Sequence, residues 1–144
     1  MEKEFLKAAL GYLEHGFYVF PLKPKSKTPL TPNGFNDASN DPEVIKAWWK
    51  KHPDANIGIA TGAISDLIVI DVDGEYPDTF PPIPKTATVK TKKGYHLYLK
   101  YPKGHIIKSR AKIDGHDVDV RANGGYIVAP PSLHPDGGCY EFID

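Results

Sequence analysis

The chain has one cysteine, Cys139, among 144 residues, so no disulfide can close within it. A lone thiol fits a reducing, cytoplasmic setting, and Cys139 is expected to be a small half-buried residue. No apolar run approaches the ~20 residues that cross a bilayer, and no basic-then-apolar stretch reads as a signal peptide. No membrane partner is therefore expected. Net charge is absent too: 18 Lys and Arg balance 18 Asp and Glu. That argues against a generally basic nucleic-acid binder, although distribution matters more than the sum. Acids are missing altogether from residues 85–112, which hold nine of the 18 positive charges. The acids gather instead around 66–78 and 114–119. A basic surface beside an acidic pocket suits an enzyme that holds a metal and a polyanion together. The plainer reading is a solvated hairpin whose lysines blunt a sheet edge. There is no internal repeat, no low-complexity tail and no zinc-binding motif.

Fourteen prolines and thirteen glycines point to many turns and short strands. The length fits one domain over residues 1–144, with 40% hydrophobic and 25% charged residues. Its organising stretch is residues 66–75. Leu67 to Ile70 is an aliphatic run rich in β-branched residues, bracketed by Gly62 and Gly74. It predicts a strand buried on both faces. Asp71 and Asp73 end it. Side chains alternate along a strand, so the two carboxylates share a face while Val72 takes the other. Their repulsion falls if a cation lies between them, and hard oxygen donors suit Mg²⁺ or Mn²⁺ better than Zn²⁺. A strand ending in a polar turn is the bland alternative.

Around this strand the pattern predicts a helix over about 3–14, from Phe5, Leu6, Ala9, Leu10 and Leu13, ended by Gly16. A short alternating strand follows over 17–22, then a loop over 24–36 carrying Lys25 and Lys27. Asp41-Pro42 starts a second helix that stops before Pro53, with Trp48 read as core. A strand over 56–61 leads into the organising strand. The prolines of 76–84 make a stiff loop beside the carboxylates. Residues 86–91 and 95–101 form a hairpin turning at Lys92-Lys93-Gly94. In its second strand Tyr95, Leu97 and Leu99 share the expected core face, which leaves His96, Tyr98 and Lys100 on the other. Residues 105–112 are expected to be an irregular strand. Residues 117–121 alternate, with Val118 and Val120 inward and Asp117, Asp119 and Arg121 together on the opposite face. Strands at 126–129 and 139–143 flank a polar loop that contains Ser132 and His134.

Three pieces stand out: Asp71 with Asp73, His96, and Asp119 with Arg121. Three carboxylates around two divalent ions is the arrangement that supports in-line attack on a phosphoryl group. His96 and Arg121 nearby would neutralise triphosphate oxygens.

In this order the pieces resemble the bifunctional DNA primase/polymerase (prim-pol) domain of the archaeo-eukaryotic primase superfamily. The resemblance rests on Asn56-Ile57-Gly58-Ile59-Ala60-Thr61-Gly62 ahead of Asp71-Val72-Asp73, then Gly94-Tyr95-His96-Leu97-Tyr98, then the segment from Asp119-Val120-Arg121 to Pro131-Ser132. Lys27-Thr28-Pro29 and the Trp48-Trp49 helix also fit. It covers about residues 10 to 142. The resemblance implies an α+β fold, with an RRM-like mixed or antiparallel sheet carrying the acids and a small α/β module packed against it. It implies template-directed nucleotidyl transfer with release of pyrophosphate, and Mg²⁺ or Mn²⁺ held by Asp71, Asp73 and Asp119. His96, Arg121, Ser132, His134 and Lys27 would bind the dNTP or NTP. Gly94 stands where many members have Ser, so no hydroxyl contact is expected there. The DNA template or primer is expected along the basic segment, with Lys92, Lys93 and Lys100 as contacts. Relatives carry the domain beside a helicase or other replication domain, often on a plasmid, phage or other mobile element. The chain is thus expected to be a fragment or a minimal form of a replication protein.

Two other readings compete. A haloacid-dehalogenase-like phosphatase also places Asp-x-Asp-Gly after an aliphatic run, but Glu75 replaces the usual Thr or Val and the later acidic motif is missing. A non-catalytic RRM-like module would use Tyr95, Tyr98 and Tyr101 to stack bases. Three pre-placed acids oppose it, because carboxylates repel phosphate unless a metal intervenes.

Overall fold

The first apolar stripe folds as helix α1 (Glu2–Glu14) in the computed structural model, which describes residues 2–143. Ala9 and Tyr12 bury against the rest of the protein. Gly16 ends the helix in left-handed backbone, its N–H bonded to the Leu13 carbonyl. Strand β1 (Tyr18–Leu22) follows, but it does not alternate as the sequence predicts. Val19, Phe20, Pro21 and Leu22 are all buried, because the strand touches both helices as well as its sheet neighbour.

Helix α2 (Pro42–Lys51) starts as expected. The Asp41 carboxylate accepts the Glu43 N–H at 2.9 Å, and Pro42 takes the first helical position. Trp49, not Trp48, is the core tryptophan, with its indole N–H donated to the Ala55 carbonyl at 3.0 Å. Ile45 and Trp49 are four residues apart and share a face. Trp48 lies roughly 100° around the helix and stays half-buried at the rim.

Strand β2 (Asn56–Ala60) is buried along its whole length. It is the middle of an antiparallel three-stranded sheet, with β1 on one side and β7 (Tyr126–Ala129) on the other. Asn56 is fully buried and fully satisfied. Its amide N–H groups donate to the carbonyls of Ser26 and Leu133, and its oxygen accepts the Leu133 N–H. One side chain thereby ties two loops to the sheet.

The second sheet has five strands in the order β6 (Val118–Arg121), β3 (Leu67–Asp73), β5 (Gly94–Lys100), β4 (Thr88–Lys90), β8 (Glu141–Phe142). Every pairing is antiparallel. The strand–helix alternation needed by the phosphatase reading is therefore absent among the described residues. Two helices and two antiparallel sheets make the fold α+β, as expected. The helices belong with the three-stranded sheet, and the acids lie on the other.

Both sheets share one core. Leu67, Val69, Val89 and Tyr98 join Phe20, Ile57, Ile59 and Trp49 in a single cluster. That reverses the predicted orientation of β5: His96 and Tyr98 face the main core, while Tyr95, Leu97 and Leu99 are half-buried on the far side. Alternation misleads here because the far side carries its own small cluster of Ile68, Tyr101 and Ala122. The stacking reading fails for two of its three tyrosines. Tyr98 and Tyr101 are buried, and the Tyr101 hydroxyl accepts N–H groups of Ile107 and Asn123.

Residues 105–112 form no strand. Two isolated bridges, Lys108 to Asn123 and Arg110 to Val120, hold them along β6, between left-handed turns at Gly104 and Lys112. The last strand is shorter than expected, because Cys139 pairs with Leu133 instead. Cys139 itself is exposed rather than half-buried. No helix among the described residues is long and apolar enough to cross a membrane.

Of the chain's three passages between the sheets, those after β2 and after β6 lie side by side. The Thr61 hydroxyl donates to the Ala122 carbonyl, Thr61 N–H donates to Gly125, and Asn123 accepts the Ala63 N–H. Gly62 is required there: its φ is +100°, and a Cβ would run into Asn123.

Candidate active site

Three adjacent strands build the site. Asp71 on β3 pairs with His96 on β5 and, on its other side, with Asp119 on β6. Directly paired residues of antiparallel strands share a face. Asp119, Asp71 and His96 thus form one row, with Asp73 two residues further along the same face, opposite Gly94. Earlier on that face, Leu67 and Val69 belong to the core. The face is apolar where the sheets pack together and acidic where it opens onto a cleft. Two adjoining hollows of about 250 and 410 Å³ make up this cleft. Tyr126, Ile127 and Val128 of β7 line its opposite wall.

Gly94 is fixed by packing. A Cβ at this position would run into the Val72 carbonyl, so the backbone of β3 needs the glycine for its close approach.

Arg121 stands between the acids of the row. Its Nη2 donates to Asp119 Oδ2 at 2.9 Å and lies 3.6 Å from Asp71 Oδ2. Asp119 Oδ1 accepts the Lys112 N–H at 2.9 Å. On the other side, His96 Nε2 is 3.5 Å from Asp71 Oδ1. Burial disfavours the charge on Asp71, but the hydrogen bond and charge of His96, with Arg121 and Lys27, outweigh it and hold the carboxyl below its usual range. Asp73 goes the other way. Burial and then the charge of Asp71, joined by Asp119, raise it against the pull of Lys93 and Lys27.

Lys27 reaches both hollows from the loop after β1. That loop is pinned by Lys23 N–H to Thr28, by Asn56 to Ser26, and by the Tyr126 hydroxyl to the Lys27 carbonyl at 2.7 Å. Lys92 and Lys93, at the turn before β5, line the larger hollow. Lys100 does not join them. It sits at the opposite end of β5, exposed, 3.8 Å from Asp66.

His134 lines the larger hollow, with Nδ1 accepting the Asp136 N–H. Ser132 does not reach the cleft: it is fully buried, and its hydroxyl accepts the Ile57 N–H at 2.8 Å. Tyr140 is a site residue the sequence reading missed. Its ring stacks on His96 with centroids 6.1 Å apart and meets His134 at 6.0 Å. Burial, with Asp71 and Asp73 nearby, pushes its hydroxyl up to about 12. Nothing local marks Tyr140, because it reaches the site from the far end of a loop. Tyr126 carried a signal, Gly124-Gly125 directly before it at the crossing.

A model of the bifunctional DNA primase/polymerase N-terminal family matches residues 9–144. The chain belongs to that family. No curated protein matches it. Membership in this prim-pol family implies a nucleotidyltransferase-type enzyme.

The donors suit a hard divalent ion in type: all are carboxylate oxygens on rigid strands, and Asp73 is crowded by like charge. As arranged, no group of three or more His, Cys, Asp or Glu among the described residues is gathered as a ligand set. Arg121 occupies the space between two of them.

Proposed function

We propose that this prim-pol domain performs template-directed nucleotidyl transfer, joining a 3′-oxygen to the α-phosphorus of a dNTP or NTP and releasing pyrophosphate. The observation that carries the reading is the row Asp119, Asp71, His96 across three paired strands, in a cleft that Lys27, Lys92, Lys93 and Arg121 also line. Asp71, Asp73 and Asp119 would hold Mg²⁺ or Mn²⁺, which when bound supplies activation of the attacking hydroxyl and neutralisation of the leaving pyrophosphate.

The protein's own groups do the rest. Arg121 offers a planar fork that matches phosphate oxygens, and Lys27 adds a point charge from the facing loop. His96 and His134, each in ring contact with Tyr140, line the larger hollow and would meet the triphosphate. Tyr126 and the apolar residues of β7 exclude water from one side of the cleft. Lys92 and Lys93 would take template phosphates at the rim.

The test is extension of a labelled primer on a template with Mn²⁺ or Mg²⁺, alongside a reaction without primer. Incorporation that follows the template and disappears in Asp71→Asn is expected. A folded protein that incorporates nothing with either metal and either sugar would overturn the reading.

A further inference from the structure

We propose that Arg121 competes with the divalent ion for Asp71 and Asp119, and turns from these carboxylates to the nucleotide's phosphates when the ion binds. The inference rests on the nucleotidyl-transfer reading above.

One nitrogen, Nη2, serves both acids, at 2.9 Å from Asp119 Oδ2 and 3.6 Å from Asp71 Oδ2. An ion bound to those two oxygens needs the space that this nitrogen fills. It would also lie against a full positive charge in a partly buried site, where charges are poorly screened. The carboxylates have few spare oxygens. Asp119 Oδ1 is engaged by the Lys112 N–H, and Asp71 Oδ1 faces His96. The guanidinium is the partner that can leave. Its side chain is 37% exposed, against 8% for His96, and it lines both hollows of the cleft. Once off the acids, its fork is free for phosphate oxygens. Ion and triphosphate each favour the same turned position of Arg121, so each assists the other's binding. Without an ion the acids stay neutralised, and the like-charge strain of the row is relieved from within the protein.

The test measures metal binding with no nucleotide or DNA present. Mn²⁺ affinity is read by paramagnetic resonance of the free ion for the unaltered protein, Arg121→Gln and Asp71→Asn. Arg121→Gln should bind Mn²⁺ about five-fold or more tightly, the lower end of typical coupling between sites. In the unaltered protein, Mg²⁺ should shift and sharpen the Arg121 side-chain ¹⁵N signal as the guanidinium leaves its partners. This second measurement covers the case in which Arg121→Gln folds poorly. Equal or weaker Mn²⁺ binding by a folded Arg121→Gln, or an Arg121 signal indifferent to saturating Mg²⁺, overturns the competition. If Asp71→Asn still abolishes Mn²⁺ binding in that event, the nucleotidyl-transfer reading stands. Mn²⁺ binding that is untouched by Asp71→Asn overturns both.

Discussion

His96 and Asp71 face each other across paired strands, with the imidazole Nε2 3.5 Å from a carboxylate oxygen. The ring is buried against Tyr140, and its Nδ1 has no hydrogen-bond partner among the described residues. A buried nitrogen without a partner costs stability unless something else uses it. Replacing His96 by Ala would confuse chemistry with a cavity, so the informative change is His96→Phe, which keeps the stack. Nucleotide affinity should fall about ten-fold or more, the scale of a lost hydrogen bond to a charged group. Titration calorimetry with a non-hydrolysable dNTP reads this. Unchanged affinity would make His96 a packing residue only.

Asp71 and Asp73 should respond oppositely to amidation. Asp71 is held below its usual range, so its ionised form is favoured in the fold. Its stabilisation is present above the unfolded carboxylate range and is lost as pH falls through the lowered folded value. Asp73 is raised, so its charge costs stability at neutral pH and that cost fades on acidification. In chelator at pH 7, Asp71→Asn should lower the melting temperature and Asp73→Asn should raise it. Calorimetry showing both shifts in one direction would contradict this balance of charges. Both variants should lose at least ~10²-fold in transfer rate, as when one transition-state charge partner is removed.

Gly94→Ser tests whether any side chain fits at this position of β5. Any Cβ there meets the Val72 main chain, so the strand next to Asp73 must shift. Overpacking of this kind costs ~1–3 kcal/mol, measurable by urea denaturation. A variant as stable as the parent would show that β3 and β5 separate easily.

Ser132→Ala should act on stability alone. It strips the buried Ile57 N–H of its acceptor, at a cost of ~1–3 kcal/mol. Nucleotide affinity of the folded variant should not change.

Lysines at the two ends of β5 should separate in their effect on DNA. Neutralising Lys92 and Lys93 together should reduce the slope of log affinity against log salt by ~1–2, on every template alike. Lys100→Ala, paired with Asp66 at the far end, should leave the slope unchanged. If Lys100 alone carries the effect, the template runs away from the acidic cleft.

The acidic strand, the third acid and the hairpin were all legible in the sequence, because each is a local pattern of period two beside a turn. The orientation of β5 was not. Tyr95, Leu97 and Leu99 look like a core face, yet His96 and Tyr98 occupy it, since apolar residues lie on both sides and only the packing of the two sheets decides. Trp48 and Trp49 differ by one position on α2, below the resolution of a periodicity argument. Ser132 carried a motif but serves the β2 backbone. Tyr140 and the pinned position of Lys27 depend on contacts far apart in the chain, which no local pattern reports.

Asn56 holds the Lys27 loop through Ser26 and the His134 loop through Leu133. The two walls that bring Lys27 and His134 to the cleft thus lose their conformational freedom in one event, during folding and around one buried amide. A nucleotide arriving later meets loops that are already ordered, and little of its binding energy is consumed in arranging them. Loosening that single amide would slacken both walls at once. The effect would appear as matched hydrogen-exchange acceleration in two loops separated by some hundred residues of chain.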